Sequence, residues 1–133
     1  MPLYFTIQNF RVRLTALLTV RKKVYAGVLD EIAREFSSAD IAKLRVNNDM
    51  ILLEDSFIVI KLRLPDKKQK LSKSNGYRII YLTYKDVDKV VFLDIYPKRG
   101  PLQQISISDK DLLNLLKEYL SESKNGLLEE YVF

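Results

Sequence analysis

Apolar and polar residues alternate most clearly between Phe57 and Leu64. Ile58, Ile60, Leu62 and Leu64 fall on one side of an extended chain and Val59, Lys61 and Arg63 on the other, so a strand is predicted there. Tyr77–Tyr84 and Val90–Tyr96 are predicted to be the next two strands. Leu3, Phe5 and Ile7 alternate against Tyr4 and Thr6 in a short first strand. Between these regions the period lengthens to that of a helix. Phe10, Leu14, Leu17 and Leu18 mark a first helix that Asn9 is placed to cap, and Val24, Val28 and Ile32, with Tyr25, Leu29 and Phe36 beside them, mark a second from about Val20 to Phe36. Ser37 and Ser38 interrupt it. Ala42–Arg45 then leads through the turn-like Asn47–Asn48–Asp49 toward the strands. A last helix begins at Ser108, which pairs with Asp111 in a capping-box pattern, and carries Leu112, Leu115, Leu116, Tyr119 and Leu120 on its apolar stripe.

This order predicts an α+β fold. An N-terminal strand and a two-helix hairpin pack on a mainly antiparallel sheet, and a C-terminal helix follows. The expected division is a domain over residues 1–120 and a C-terminal tail over 121–133, where Glu129–Glu130 lies between apolar Leu127–Leu128 and Tyr131–Val132–Phe133. The polar stretch from Pro65 to Gly76 reads as a mobile hairpin loop rich in lysine (Lys67, Lys68, Lys70 and Lys73).

Composition narrows the chemistry. The 133 residues include no Cys and no His, which excludes disulfides, Cys/His zinc sites, thiol nucleophiles and Ser-His-Asp catalysis. The apolar stretch from Leu14 to Val20 is too short for a signal peptide and is flanked by arginines, so a cytoplasmic protein is expected. Net charge is +5, and the excess is local: residues 61–99 hold 11 basic and 4 acidic side chains, whereas 100–133 hold 3 and 6. Lys61 and Arg63 project from one strand face, Arg78 opens the next strand, and Lys98–Arg99 follow the third. Consecutive hairpin strands are normally neighbours, so these side chains are expected to converge on a wet face suited to a phosphodiester backbone. Blander readings stand beside this one. Lys61 and Arg63 would then be solubilising residues, Arg78 would pair with Asp86, Asp88 or Asp94, and Tyr77, Tyr81 and Tyr84 would be core and sheet residues.

The run Ile60-Lys61-Leu62-Arg63, then Gly76-Tyr77-Arg78-Ile79-Ile80-Tyr81, then Lys98-Arg99 resembles the RelE/HigB branch of the RelE/ParE toxin superfamily. The resemblance implies a small RelE-like domain and the toxin of a type II toxin–antitoxin module: a ribosome-dependent mRNA endoribonuclease that inhibits translation. The implied reaction is attack by a ribose 2′-OH on the adjacent phosphate. By carry-over Arg78 and Arg99 stabilise the transition state, while Lys61 holds the phosphate or accepts the proton, a role that requires a depressed pKa. Arg63 and Lys98 position the RNA backbone, with Lys67, Lys68, Lys70 and Lys73 as further RNA contacts. No metal or cofactor is implied; the partners are a cognate antitoxin, the ribosome and mRNA, and no membrane. The sequence departs from the pattern where some RelE toxins carry a tyrosine, because Ile105 stands there, leaving Gln104, Ser106 or Tyr96 to compensate. The alternatives are a ParE-type inhibitor of DNA gyrase that cuts no RNA, and a non-catalytic basic RNA-binding module.

Overall fold

The computed structural model describes residues 2–46 and 49–133. Strand β1 (Leu3–Thr6) leads into helix α1 (Gln8–Thr19), a short 3₁₀ turn at Arg21–Lys23, helix α2 (Val28–Phe36) and helix α3 (Ile41–Arg45). Strands β2 (Met50–Leu53), β3 (Phe57–Leu64), β4 (Tyr77–Tyr84) and β5 (Lys89–Pro97) follow, then helix α4 (Asp109–Lys124) and strand β6 (Glu129–Glu130). The strands form one six-stranded sheet in the order β2-β3-β4-β5-β1-β6. All neighbours are antiparallel except β1 and β5, which run parallel. The fold is therefore α+β, with a mostly antiparallel mixed sheet. No helix among the described residues is long and apolar enough to cross a membrane.

One side of the sheet holds an aromatic core. Phe36 of α2 meets Tyr81 and Phe92 edge-on at 5.5 and 5.0 Å between ring centroids, and Phe10 of α1 stacks on Phe92 at 5.2 Å. Tyr81 also donates its hydroxyl to the Leu44 carbonyl in α3. Tyr77 and Tyr81 are thus core residues, as their apolar surroundings suggested. The tail joins this side: β6 pairs with β1, and Tyr131 and Phe133 pack edge-on against Phe92 and Tyr4 respectively.

Several local expectations are corrected. The second helix starts at Val28 and not near Val20, because Lys22 and Lys23 adopt left-handed conformations (φ 62° and 50°). That bend delivers Tyr25 to the end of the sheet, where it is fully buried against Tyr77. Asn9 does not cap α1. It lies inside the helix and donates to the Leu93 carbonyl, while the helix's first amides are met from afar: Gln8 N–H by Glu122 and Asn9 N–H by Glu118, both on α4. The capping box at Ser108 and Asp111 is present. Of the turn expected at 47–49, Asn47 and Asn48 lie outside the described residues.

The 65–76 segment, read as a lysine-rich hairpin loop, contains a 3₁₀ turn at Lys67–Gln69 and a bridge between Asp66 and Leu71. Buried Asp66 accepts hydrogen bonds from the Tyr77 hydroxyl at 2.7 Å and the Gln69 amide at 2.6 Å, and its backbone bridges to Leu71. Gly76 closes the loop so tightly that a Cβ there would stand 2.1 Å from the Leu64 carbonyl oxygen. The buried carboxylate organises the segment despite its polar composition.

Candidate phosphate-binding face

The other side of the sheet carries the basic strand residues. Register places Arg63 opposite Arg78, and Arg78 opposite Tyr96, so these three form one row across β3, β4 and β5. The next row is Lys61, Ile80 and Asp94. Rows of this kind arise because side chains two apart on a strand share a face. A bulge at Leu93 keeps Asp94 and Tyr96 on the basic face while Phe92 turns into the aromatic core.

Helix α4 covers the far end of this face, through Leu115, Tyr119 and a hydroxyl–hydroxyl contact between Tyr84 and Tyr119. The face is therefore half covered, where an open wet surface was expected. The basic end stays open beyond the start of α4. Lys98 and Arg99 arrive there on the turn after β5. Tyr25 clamps that turn, donating to the Arg99 carbonyl at 2.8 Å and accepting from Leu102 N–H at 3.1 Å. Gly100 permits the clamp, with φ 89° and no room for a Cβ beside the Tyr25 hydroxyl.

The five candidates Lys61, Arg63, Arg78, Lys98 and Arg99 come together. The Lys98 ammonium loses proton affinity through partial desolvation and through the charges of Arg78, Lys61, Arg99 and Arg63, in that order. Arg78 is shifted down too, first by burial and then by Arg63 facing it. Asp49 is close enough to favour the charge on Arg78. Asp88 pairs with Arg45 and Asp94 with Arg13, so neither takes Arg78. Like charges set directly across a sheet cost stability, and the arrangement suits an anionic ligand that would offset the cost.

The five are not equivalent. Arg63 and Arg99 are exposed, and Lys61 and Lys98 half-buried. Arg99 donates to the Asn75 side chain at 2.7 Å. Arg78 is only 8% exposed and spends its guanidinium on backbone carbonyls, those of Lys73 at 3.0 Å, Ser74 at 3.1 Å and Tyr77 at 3.2 Å. Its charge reaches the face, while its fork holds the loop.

The loop lysines divide. Lys73 lines a hollow with Arg63, beside the basic face. Lys67 and Lys68 are carried to α2, where the Lys67 amide donates to Glu31 at 2.7 Å and the Lys68 stem lies over Gly27. Lys70 occupies a left-handed position at the end of the loop's 3₁₀ turn. Of the positions that stand in for the missing tyrosine, Gln104 turns to Arg13. Ile105 is 88% exposed, and its carbonyl accepts from the Lys98 ammonium. The Tyr96 hydroxyl is buried beside Arg78 and has no hydrogen-bond partner among the described residues. The alternation of β5 already put Tyr96 and Lys98 in step, which was the available signal. The Tyr25 clamp and the Arg13–Asp94 pair join distant segments and left no local trace.

No group of three or more metal-ligating side chains occurs among the described residues. No family model matches the chain, and searches of curated proteins and of solved structures find no match.

Proposed function

We propose that the basic face binds a ribose–phosphate backbone and cuts it, and that the protein is a cytoplasmic mRNA endoribonuclease acting as a toxin on the ribosome, restrained by a cognate antitoxin. The observation that carries this reading is the convergence of Lys61, Arg63, Arg78, Lys98 and Arg99 from two strands and the turn after β5. Arg63 and Arg99 present exposed forks to the phosphate oxygens, and Arg78 adds its charge from beneath. The 2′-oxygen attacks phosphorus and the bond to the 5′-oxygen breaks, leaving a cyclic phosphate and a free 5′-hydroxyl. Lys98, whose proton affinity is lowered first by desolvation and then by its cationic neighbours, takes the 2′-hydroxyl proton, and Lys61 supplies one to the departing 5′-oxygen.

The test is primer extension on mRNA incubated with ribosomes and the purified protein. New ends bearing a 5′-hydroxyl are expected, and Lys98→Gln is expected to remove them. RNA that is bound but never cut would instead establish a non-catalytic RNA-binding module. One observation favours that second reading: Arg78 and Lys98 already donate to backbone carbonyls.

A further inference from the structure

Helix α4 buries one side and leaves another uncovered. Leu115, Tyr119 and Glu122 point into the fold, and Glu118 and Glu122 hold the first amides of α1. With 3.6 residues to the turn, Leu113, Leu116 and Leu120 form one stripe on the flank turned away from α1. Leu113 is 51% exposed, Leu120 64%, and Leu116 half-buried. Near its start the stripe adjoins half-buried Leu112, which lines a hollow with exposed Ile51 of β2. Single exposed leucines are ordinary on a protein surface. Leucines at successive intervals of three and four instead repeat the seam along which one helix packs on another.

Charge selects the occupant. Exposed Lys110, Lys117 and Lys124 stand seven residues apart, so they form one row beside the leucines, at the position that flanks the seam of a helix pair. Two copies of α4 laid antiparallel along this seam would set lysine row against lysine row. Laid parallel, each row would face the positions of Leu112 and Tyr119, which carry no charge. A second copy is therefore a poor match. A bilayer fits no better, because exposed Asp109 falls on the stripe itself, one turn before Leu113, where a membrane surface would have to take up a carboxylate. A helix with carboxylates beside its own apolar stripe matches both the leucines and the lysines.

We infer that the outer flank of α4 is a docking surface for an acidic amphipathic helix of another protein. Its apolar side chains would enter between Leu113, Leu116 and Leu120, and its carboxylates would face Lys110, Lys117 and Lys124. These lysines are not those of the basic face, so the inference stands whether or not RNA is bound or cut there.

The probe is a fluorescent synthetic peptide of three heptads, about 21 residues, with Leu along the seam and Glu beside it. The same peptide with Lys in place of Glu is the comparison, and binding to the full chain is read by anisotropy. The Glu peptide is expected to bind at least about tenfold tighter than the Lys peptide. Replacing exposed Leu113 and Leu120 together with Ser, or Lys110, Lys117 and Lys124 together with Gln, is expected to weaken it about tenfold in each case. Absence of binding, equal binding of the two peptides, or an affinity indifferent to these substitutions would overturn the inference. Loss of Glu-peptide binding on Arg63→Gln with Arg99→Gln would overturn it too, because the peptide would then lie on the basic face. So would self-association in sedimentation, or binding to phosphatidylserine vesicles, that the two leucine substitutions abolish, since the stripe would then serve a second copy or a membrane.

Discussion

The two faces of the sheet are built from the same strands and obey opposite rules. Toward α1, α2 and α3, the interior is filled mainly by rings and aliphatic chains, and the hydroxyls of Tyr4, Tyr77 and Tyr81 each find an acceptor, as does that of buried Thr83. Toward α4, the covered end pairs the Tyr84 and Tyr119 hydroxyls, but the open end sets Arg63 against Arg78 and leaves the Tyr96 hydroxyl without a partner among the described residues. One face is optimised for stability. The other crowds like charges, Arg63 against Arg78 with Lys61, Lys98 and Arg99 nearby, and such local conflicts mark places shaped by a ligand.

The largest effect should come from breaking the first face. Phe92 is fully buried and touches Phe36, Phe10, Tyr4 and Tyr131. Phe92→Ala is expected to cost about 3–5 kcal/mol in urea unfolding. Arg78→Ala should be intermediate, at about 2 kcal/mol, because it releases three backbone carbonyls and frees the 73–77 turn. It should weaken RNA binding as well. Exposed Arg63→Ala is expected to move stability by no more than about 0.5 kcal/mol while still weakening RNA binding, which separates ligand contact from scaffold. The gentlest probe is salt. Each single removal of Lys61, Arg63 or Arg99 should lower the slope of log affinity against log salt for single-stranded RNA by about 0.7, if that side chain meets one phosphate.

A pH titration sharpens the contrast from the covered end. Glu122 is raised to about 7, chiefly by burial and then by Glu118, while the Gln8 amide and Arg11 pull it down. Arg11 is shared with Glu129. A carboxylate whose folded pKa lies above its unfolded one binds more protons in the fold. Its contribution is therefore full below about 4.5 and lost as pH rises through about 7. Stability should fall between pH 5 and 8, and Glu122→Gln should flatten that part of the profile.

Periodicity made much of this legible. The limits of β3 and β4, the shared face of Lys61 and Arg63, and the Ser108 capping box all follow from residues close in sequence. What was illegible depends on distant partners. β2 shows no alternation, with Met50, Ile51 and Leu53 all exposed at a sheet edge. The bend at Lys22–Lys23 exists because Tyr25 is captured by Tyr77 and the 99–102 turn, which no local propensity announces. Arg78 was expected to meet phosphate or a carboxylate and instead meets carbonyls, whose directions are set only once the 65–76 loop has folded around Asp66.

The most direct test removes the same charge from two places. One variant replaces Lys61, Arg63, Lys98 and Arg99 with Gln; the other replaces exposed Lys85, Lys110, Lys117 and Lys124 with Gln, so that both lose four positive charges. Single-stranded RNA affinity at near-physiological salt is expected to fall at least a hundredfold in the first and less than fivefold in the second. Equal losses in the two would mean that net charge alone governs binding, and that the converging side chains form no site.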